Sequence, residues 1–336
     1  MVKKYYLFLY YAFFLTVTFT LKVNAQIDPQ FSQYMFINPY VNPGAVGINN
    51  RTDLALLYRY QWAGNRPSIG SSSDLSGSPR TLLFNASTKV QLISSGIGGY
   101  IFKDDLGPIS NLNAKINYAY HIRLAGGRLG LGVGLGILNT SIDFSKLRAI
   151  DQDDPRLQYL QNNANSGILP DINAGVFYYK EEYYVGLSAS HLNAPVYLPK
   201  NPIDPFGNSS SIGRVYYLTG GYNFKLNDLF VLSPSFLVKS SVQKFSTTSV
   251  DISTLLKYNN DQFFGGLAFR SGDALTAIIG VGLLGDNALR LGYAFDLTLI
   301  GNSAKAFTSH ELMITYSKPV AELLPKPVIR TPRYRF

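Results

Sequence analysis

The chain has 336 residues but no cysteine, one tryptophan, three methionines and three histidines. Without cysteine there is no disulfide framework and no lipid-modified N-terminal cysteine. The three histidines, His121, His191 and His310, lie far apart, and no spacing among them suggests converging zinc ligands. Only His121 falls on a clearly polar strand face. Beyond the first 25 residues no apolar run reaches about 20 residues, which excludes helical membrane spans. The net charge of +9 is mild, and no basic run interleaved with aromatics points to nucleic acid. No metal, cofactor or nucleic-acid partner is expected.

The N-terminus speaks for export. Lys3 and Lys4 precede an apolar stretch from Tyr5 to Leu21, and Val23-Asn24-Ala25 has the small residues of a cleavage site. Residues 1–25 therefore read as a secretory signal peptide whose removal leaves Gln26 first. The chain is rich in tyrosine (24), phenylalanine (21) and glycine (30). Such residues are favoured where strands, turns and membrane interfaces dominate.

Period two runs through almost everything between Arg51 and Tyr316. In 128–137, Leu129, Leu131, Val133, Leu135 and Ile137 oppose Gly130, Gly132, Gly134 and Gly136. In 110–123, Leu112, Ala114, Ile116, Tyr118, Tyr120 and Ile122 oppose Asn113, Lys115, Asn117 and His121. The same parity sets Asp53, Arg59, Lys89, Asp251, Lys257, Arg270 and Glu311 on polar faces. A soluble sandwich alternates too, but its apolar faces meet each other. Wide apolar faces backed by polar, charged ones suit a closed barrel with lipid outside and a wet lumen.

Fourteen strands are predicted: 51–62, 80–90, 94–102, 110–123, 128–140, 171–179, 183–191, 213–225, 229–239, 247–258, 261–270, 274–284, 288–297 and 309–317. The connections after even-numbered strands are short. Those after strands one, five, seven and thirteen are long, which is the outer-membrane arrangement of periplasmic turns and surface loops. The fold class is therefore all-β, a transmembrane antiparallel outer-membrane β-barrel with a short N-terminal helical or turn segment. The expected divisions are a signal peptide (1–25), an N-terminal periplasmic or plug segment (26–50), the barrel (51–317) and a periplasmic Pro/Arg-rich tail (318–336). Pro234, inside the ninth strand, should mark a bulge or a gap in pairing.

Catalytic constellations are weak. Ser188 and Ser190 share one face of their strand and His191 takes the other, so nucleophile and base would point apart. The acidic run at 151–155 lacks the spacing of a calcium loop. The glycines of 130–136 are strand-periodic with no helix behind them, which defeats a phosphate-loop reading. They would make room in the lumen for something inserted. The loop within 193–213 carries four prolines and two aromatics, and Tyr197, Pro199, Pro202, Pro205 and Phe206 are its candidates for holding another surface macromolecule. The tail after the last strand holds four prolines and five basic residues and is either a docking segment or plain disorder.

The stretch from Asp28 to Gly44, DPQFSQYMFINPYVNPG, has four aromatics, three prolines and one charge. Asp28 is a good N-cap and Pro29 suits a first helical position. Phe31, Tyr34 and Met35 then share a helical face. A helix over 29–36 is predicted, with turns at Asn38-Pro39 and Asn42-Pro43 leading past Gly47 into the first strand. Its role is a plug at the periplasmic mouth or a docking surface for a periplasmic partner.

This stretch, followed by Ala45-Val46-Gly47, resembles the N-terminal signature of the PorP/SprF family. Further pieces match in order: YRYQWAG at 58–64, KDDLGP at 103–108, GLSASHLN at 186–193, PSFLVK at 234–239, FFGGLAFR at 263–270, LGYAFD at 291–296 and SHELMITY at 309–316. The family signature more often continues Asn-Pro-Ala-Tyr-Ala-Gly where Asn42-Pro43-Gly44-Ala45-Val46-Gly47 stands here. The resemblance implies an outer-membrane protein of type IX secretion and gliding motility, and no enzyme. Its implied partners are outer-membrane lipid, the C-terminal domain of a secreted adhesin-like cargo, and periplasmic motor or peptidoglycan-linked components. The alternative from the residues is a passive diffusion channel lined by Lys115, Lys257, Arg270, Arg290, Asp251 and Asp296. A hydrolase using His121 and His191 is a third.

Overall fold

The computed structural model describes residues 28–63, 78–143, 167–198, 210–242, 247–299 and 307–321. The barrel strands are β1 (Arg51–Tyr60), β2 (Arg80–Val90), β3 (Ser95–Leu106), β4 (Ile109–Leu124), β5 (Gly127–Ile142), β6 (Leu169–Tyr179) and β7 (Tyr183–Ser190). They continue as β8 (Arg214–Tyr222), β9 (Phe230–Val242), β10 (Thr247–Tyr258), β11 (Phe263–Arg270), β12 (Ala274–Leu283), β13 (Leu289–Thr298) and β14 (Thr308–Pro319). Each pairs antiparallel with its sequence neighbours, and β1 pairs with β14 from Arg51↔Pro319 to Tyr60↔His310. That last ladder closes the ring, so no edge strand remains to be satisfied in lipid.

Period two does in space what it does in sequence. In β1, Leu54, Leu56 and Tyr58 are exposed on the outer surface, while Ala55, Leu57 and Arg59 are buried inside. In β4, Asn113, Lys115, Asn117 and His121 all point inward and are buried. Exposed leucines, isoleucines and tyrosines therefore form a lipid-facing coat, and the polar set becomes the lumen wall.

Short and long connections segregate to opposite ends. Ala125 and Gly126 join β4 to β5 with φ of +48° and +78°, the two positive values that a tight hairpin with the right twist requires. Pro234 leaves a gap in pairing and no bulge. β8 pairs with β9 down to Gly221↔Ser235, and pairing resumes at Phe224↔Leu232 in the same register. Between them Asn223 turns its side chain to Ser233, whose Oγ donates to Asn223 Oδ1 at 2.8 Å. Small additions that escaped the alternation pattern are a paired Val196–Leu198 and Ser210–Ser211 and 3-10 turns at Gln91–Ile93 and Gly285–Asn287.

The N-terminal segment departs from expectation. No helix spans 29–36. A 3-10 turn covers Tyr34–Phe36, one α-turn covers Asn38–Val41, and a second 3-10 turn covers Pro43–Ala45. The reason is competition for the backbone. Glu311 of β14 accepts from the N–H groups of Ser32 (2.8 Å) and Gln33 (2.9 Å), and the Asp28 carboxylate is spent on His191 and Tyr217 instead of a cap. Meanwhile Pro39 and Pro43, expected in turns, sit in first helical turns, where a missing N–H costs nothing.

Candidate functional site

The lumen is occupied by the chain's own N-terminal segment. Its apolar side chains, Phe31, Tyr34, Ile37, Tyr40 and Val41, meet inward residues from around the ring, including Leu57, Leu83, Phe102, Leu237, Leu255, Ile278 and Met313, in one buried cluster. Phe31 and Tyr34 are each 2% exposed. Tyr40 packs edge-on against Phe31 and Tyr100 with ring centroids 5.5 and 5.0 Å away.

The segment descends through the barrel. Asp28 contacts the long-loop end, through His191 just past β7, Tyr217 near the start of β8 and Lys239 near the end of β9. Asn42 sits deeper, donating through Nδ2 to the carbonyls of Val176 (3.0 Å) and Leu187 (3.2 Å) and accepting from the Gly44 N–H (2.8 Å). At the short-turn end, Val46 O faces His121 Nε2 at 2.9 Å and Ile48 O accepts from Arg128 at 2.6 Å. The expectation of a plug confined to the periplasmic mouth is thus corrected: the segment runs the length of the lumen. It fits because β5 is narrow inside. A Cβ at Gly130 or Gly132 would fall on the backbone of Gly44. Gly47 is also required for a second reason, its φ of +63° beside the backbone of Thr88.

Charge complementarity fixes the upper half. One wall carries Asp251, Asp273, Asp296 and Glu311 against Arg59 and Arg270. Arg59 bridges Asp296 (2.6 Å) and Glu311 (3.1 Å), and Arg270 meets Asp251 (2.7 Å) and Asp273 (3.4 Å). Carboxylates outnumber cations there, and the segment offers only uncharged donors. Besides the two N–H groups on Glu311, Ser32 Oγ donates to Asp296 (2.8 Å) and Gln30 Nε2 to Asp251 (2.6 Å). The rest of the wall at this level holds Lys115, Lys239 and His191, with Asp171 ion-paired to Lys115 at 2.8 Å and to His191 Nδ1 at 2.9 Å. Here the segment supplies its single carboxylate. Asp28 Oδ1 is 3.0 Å from His191 Nε2, its Oδ2 accepts from Tyr217 at 2.8 Å, and its carbonyl accepts from Lys239 at 2.6 Å. Burial alone would raise the Asp28 pKa, but the charge and hydrogen bond of His191 and the charge of Lys239 hold it well below the usual carboxylate range.

Below the segment a cavity of about 330 Å³ opens at the short-turn end, bounded by Met35, Phe36, Asn38 and Pro39 above. Its wall mixes aromatics, Tyr179, Tyr184 and Tyr222, with Asp53, Lys257, Asp261 and Arg290. Lys257 and Arg290 share Asp261 at 3.9 and 3.1 Å. Asn85 and Thr315 flank Ala55 in one cross-strand row. Their Oδ1 and Oγ1 atoms have no hydrogen-bond partner among the described residues.

The profile of the family described as "Type IX secretion system membrane protein PorP/SprF" matches residues 23–316. The chain belongs to the PorP/SprF family. It is an outer-membrane β-barrel and a component of type IX secretion. No curated protein matches it significantly. Among solved structures it is similar to a TodX deltaS2S3 mutant monoaromatic hydrocarbon channel at 13% identity, covering 86% of this chain and 94% of that one with a TM-score of 0.47. The Ralstonia pickettii toluene transporter TbuX gives 13%, 83%, 92% and 0.45, and the NanC porin 10%, 80%, 100% and 0.37. Likeness at this level does not extend to what those proteins carry.

In this PorP/SprF chain every signature residue from Asp28 to Gly47 lies inside the ring. Pro29 O accepts from Tyr40 at 3.1 Å, Tyr34 Oη lies 3.1 Å from Ser235 and 3.2 Å from Ser253, and Pro39 O accepts from Asn117 at 3.3 Å. Asn38 Nδ2 donates back to Met35 O at 3.4 Å, and Pro43 abuts Gly132. Of the loop candidates, Tyr197 sits half-exposed in the short strand Val196–Leu198, whereas Pro199, Pro202, Pro205 and Phe206 lie outside the described residues. His191 is a correction. The strand ends at Ser190, and His191 has φ of +56°, so it leaves the alternation and turns into the lumen instead of away from Ser188 and Ser190. Parity could not have found it. Ser188 Oγ donates to Val41 O at 2.7 Å, and His310 lies 2.6 Å from the Tyr293 hydroxyl, so the three histidines stand in separate neighbourhoods.

Proposed function

We propose that this PorP/SprF barrel works by its two faces and not through its lumen. On the long-loop face it holds the C-terminal domain of a secreted, adhesin-like surface protein. On the short-turn face, at the vestibule of about 330 Å³, it meets periplasmic components of the secretion and motility apparatus. It binds and anchors without catalysing a reaction.

The filled lumen carries this reading. A barrel whose axis is packed with Phe31, Tyr34, Ile37 and Tyr40 has no water column to conduct solutes. The charges that a diffusion channel would use are engaged: Lys115 with Asp171, Arg270 with Asp251, and Asp296 with Arg59. What remains for contact are the two mouths, and binding residues concentrate on loops held by a rigid scaffold. The test is co-purification from the native outer membrane. The protein should bring down a large type IX cargo, and deletion of 193–211 should release it while the barrel stays folded. A cargo retained by the loop deletion removes the loop from the account. No cargo on the intact barrel contradicts the reading itself.

A further inference from the structure

The vestibule under the seated segment carries polar groups that the fold does not use. Arg290↔Thr315, Thr315↔Ala55 and Ala55↔Asn85 are cross-strand neighbours, so Arg290 of β13, Thr315 of β14, Ala55 of β1 and Asn85 of β2 form one row on its wall. Thr315 is 6% exposed and Asn85 2% exposed. Yet Arg290 Nε, Thr315 Oγ1 and Asn85 Oδ1 have no hydrogen-bond partner among the described residues. A buried polar group without a partner weakens a fold. Thr315→Val and Asn85→Leu would relieve that at similar volume, so the wall keeps these groups against stability.

Charge gives the row a direction. Among the described residues the vestibule is lined by three cations, Arg51, Lys257 and Arg290, and two carboxylates, Asp53 and Asp261. Asp53 is engaged by Asn49 Nδ2 at 2.7 Å and by the Ser317 hydroxyl, to which Arg51 Nε also donates. Lys257 and Arg290 must share Asp261, which leaves one positive charge in surplus at the Arg290 end. The other end is an acceptor, Asn85 Oδ1. A ligand that satisfies the row therefore carries an anionic group at one end and N–H donors along its length. Three strand spacings of about 4.8 Å make the row about 14 Å long, and an extended peptide spans that in about four residues at about 3.3 Å each.

We infer that the vestibule takes the C-terminal end of an extended peptide chain, its carboxylate on Arg290 and Lys257 and its backbone N–H groups on Thr315 Oγ1 and Asn85 Oδ1. Capture of a terminal carboxylate is a recurrent mode of peptide recognition. Met35, Phe36 and Leu255 offer an apolar patch to the last side chain. The cavity opens at the short-turn end, so the captured chain belongs to a periplasmic protein, a point that rests on the function proposed above. A neutral sugar would leave the surplus charge unanswered, and a phosphate would bring only acceptors to Asn85 Oδ1.

The test titrates the purified full-length barrel with acetyl-Gly-Ala-Ala-Leu and acetyl-Gly-Ala-Ala-Phe, each as the free acid and as the C-terminal amide. The inference expects the acids to bind and the amides to bind about tenfold more weakly, as loss of a hydrogen bond to a charged group implies. Arg290→Gln should weaken the acids to a similar degree, and Thr315→Val and Asn85→Leu several-fold. Lys225→Gln, an exposed lysine between β8 and β9, should change nothing. Thr315→Val and Asn85→Leu should leave the heat-induced mobility shift unchanged or raise its temperature, whereas a structural role would lower it. No binding of the acids at millimolar concentration, equal binding of acid and amide, or unchanged binding in these two variants overturns the inference. Equal competition by maltotetraose overturns it too and makes the row a sugar site. Co-purification separates it from the function proposed above. Periplasmic proteins that stay with an Asn85→Leu, Arg290→Gln double variant as they do with the native barrel contradict the inference and leave that function standing. Peptide binding with no periplasmic protein on the native barrel contradicts that function and leaves the chemistry of the vestibule standing.

Discussion

Two buried residues test the electrostatic fit most sharply. Arg59, 2% exposed, is shared by Asp296 and Glu311. Arg59→Ala takes the shared cation from both carboxylates in a dry wall and leaves them only neutral donors, and removing one partner of a buried pair costs about 3–5 kcal/mol. The expected result is a lower temperature for loss of the compact barrel on heated gels, with a matching drop in denaturant midpoint. His191 gives a pH signature. Burial alone would lower its pKa, but the charge of Asp28 and the contacts with Asp171 and Asp28 raise it to about 9. The charge of Lys115 opposes this, and Tyr217 and Lys239 hold the Asp28 that faces it. A raised folded pKa means that this stabilisation is full below about 6.5 and is lost as pH rises through about 9. The depressed Asp28 acts oppositely, its contribution present above about 3.9 and lost in acid. Melting of the seated segment should therefore fall as pH rises through 9, and His191→Asn should remove that step. At this scale the sequence told which side chains face inward, Arg59, Asp251, Arg270 and Glu311 among them. It did not tell who meets whom, because partners depend on the stagger between strands distant in sequence.

The N-terminal segment and β5 form a matched pair of elements. Alternating glycines in β5 announced an inner face with room, and the segment takes that room with Pro43 and Gly44. Gly132→Val should push the segment off its seat, and limited proteolysis should then cut within 28–50 where the native protein resists. Gly265→Ala is the control, since its added Cβ would sit 3.5 Å from the nearest neighbour, at ordinary contact distance. The segment's local form was the least legible feature. Asp28, Pro29 and the spacing of Phe31, Tyr34 and Met35 satisfied helix rules, yet Glu311 claimed the backbone donors that the helix needed. Short helices are marginal alone, so one buried carboxylate decides the outcome. His191 was illegible for a related reason, a single positive φ at a strand end.

The whole barrel was the most legible level. Lipid on one face and polar lumen on the other write a period-two pattern along every strand, and the loop lengths sort the two ends. Closure, ring size and membership of the PorP/SprF family rest on features spread over the whole chain, so local exceptions such as Pro234 do not disturb them. What fills the ring could be anticipated only in part, since a path through the lumen leaves no period in the sequence. Alanine at Phe31 and Tyr34 together should cost several kcal/mol of barrel stability, as large-to-small changes in a packed interior do (about 3–5 kcal/mol for Phe→Ala), read again from heat-induced mobility. The central claim is that this lumen is closed by residues 28–50, and planar-bilayer recording of the purified, heat-modifiable barrel tests it most directly. The intact protein should insert and remain silent, and a variant lacking 28–45 should pass steady current. Large, steady single-channel conductance from the intact protein would contradict the account.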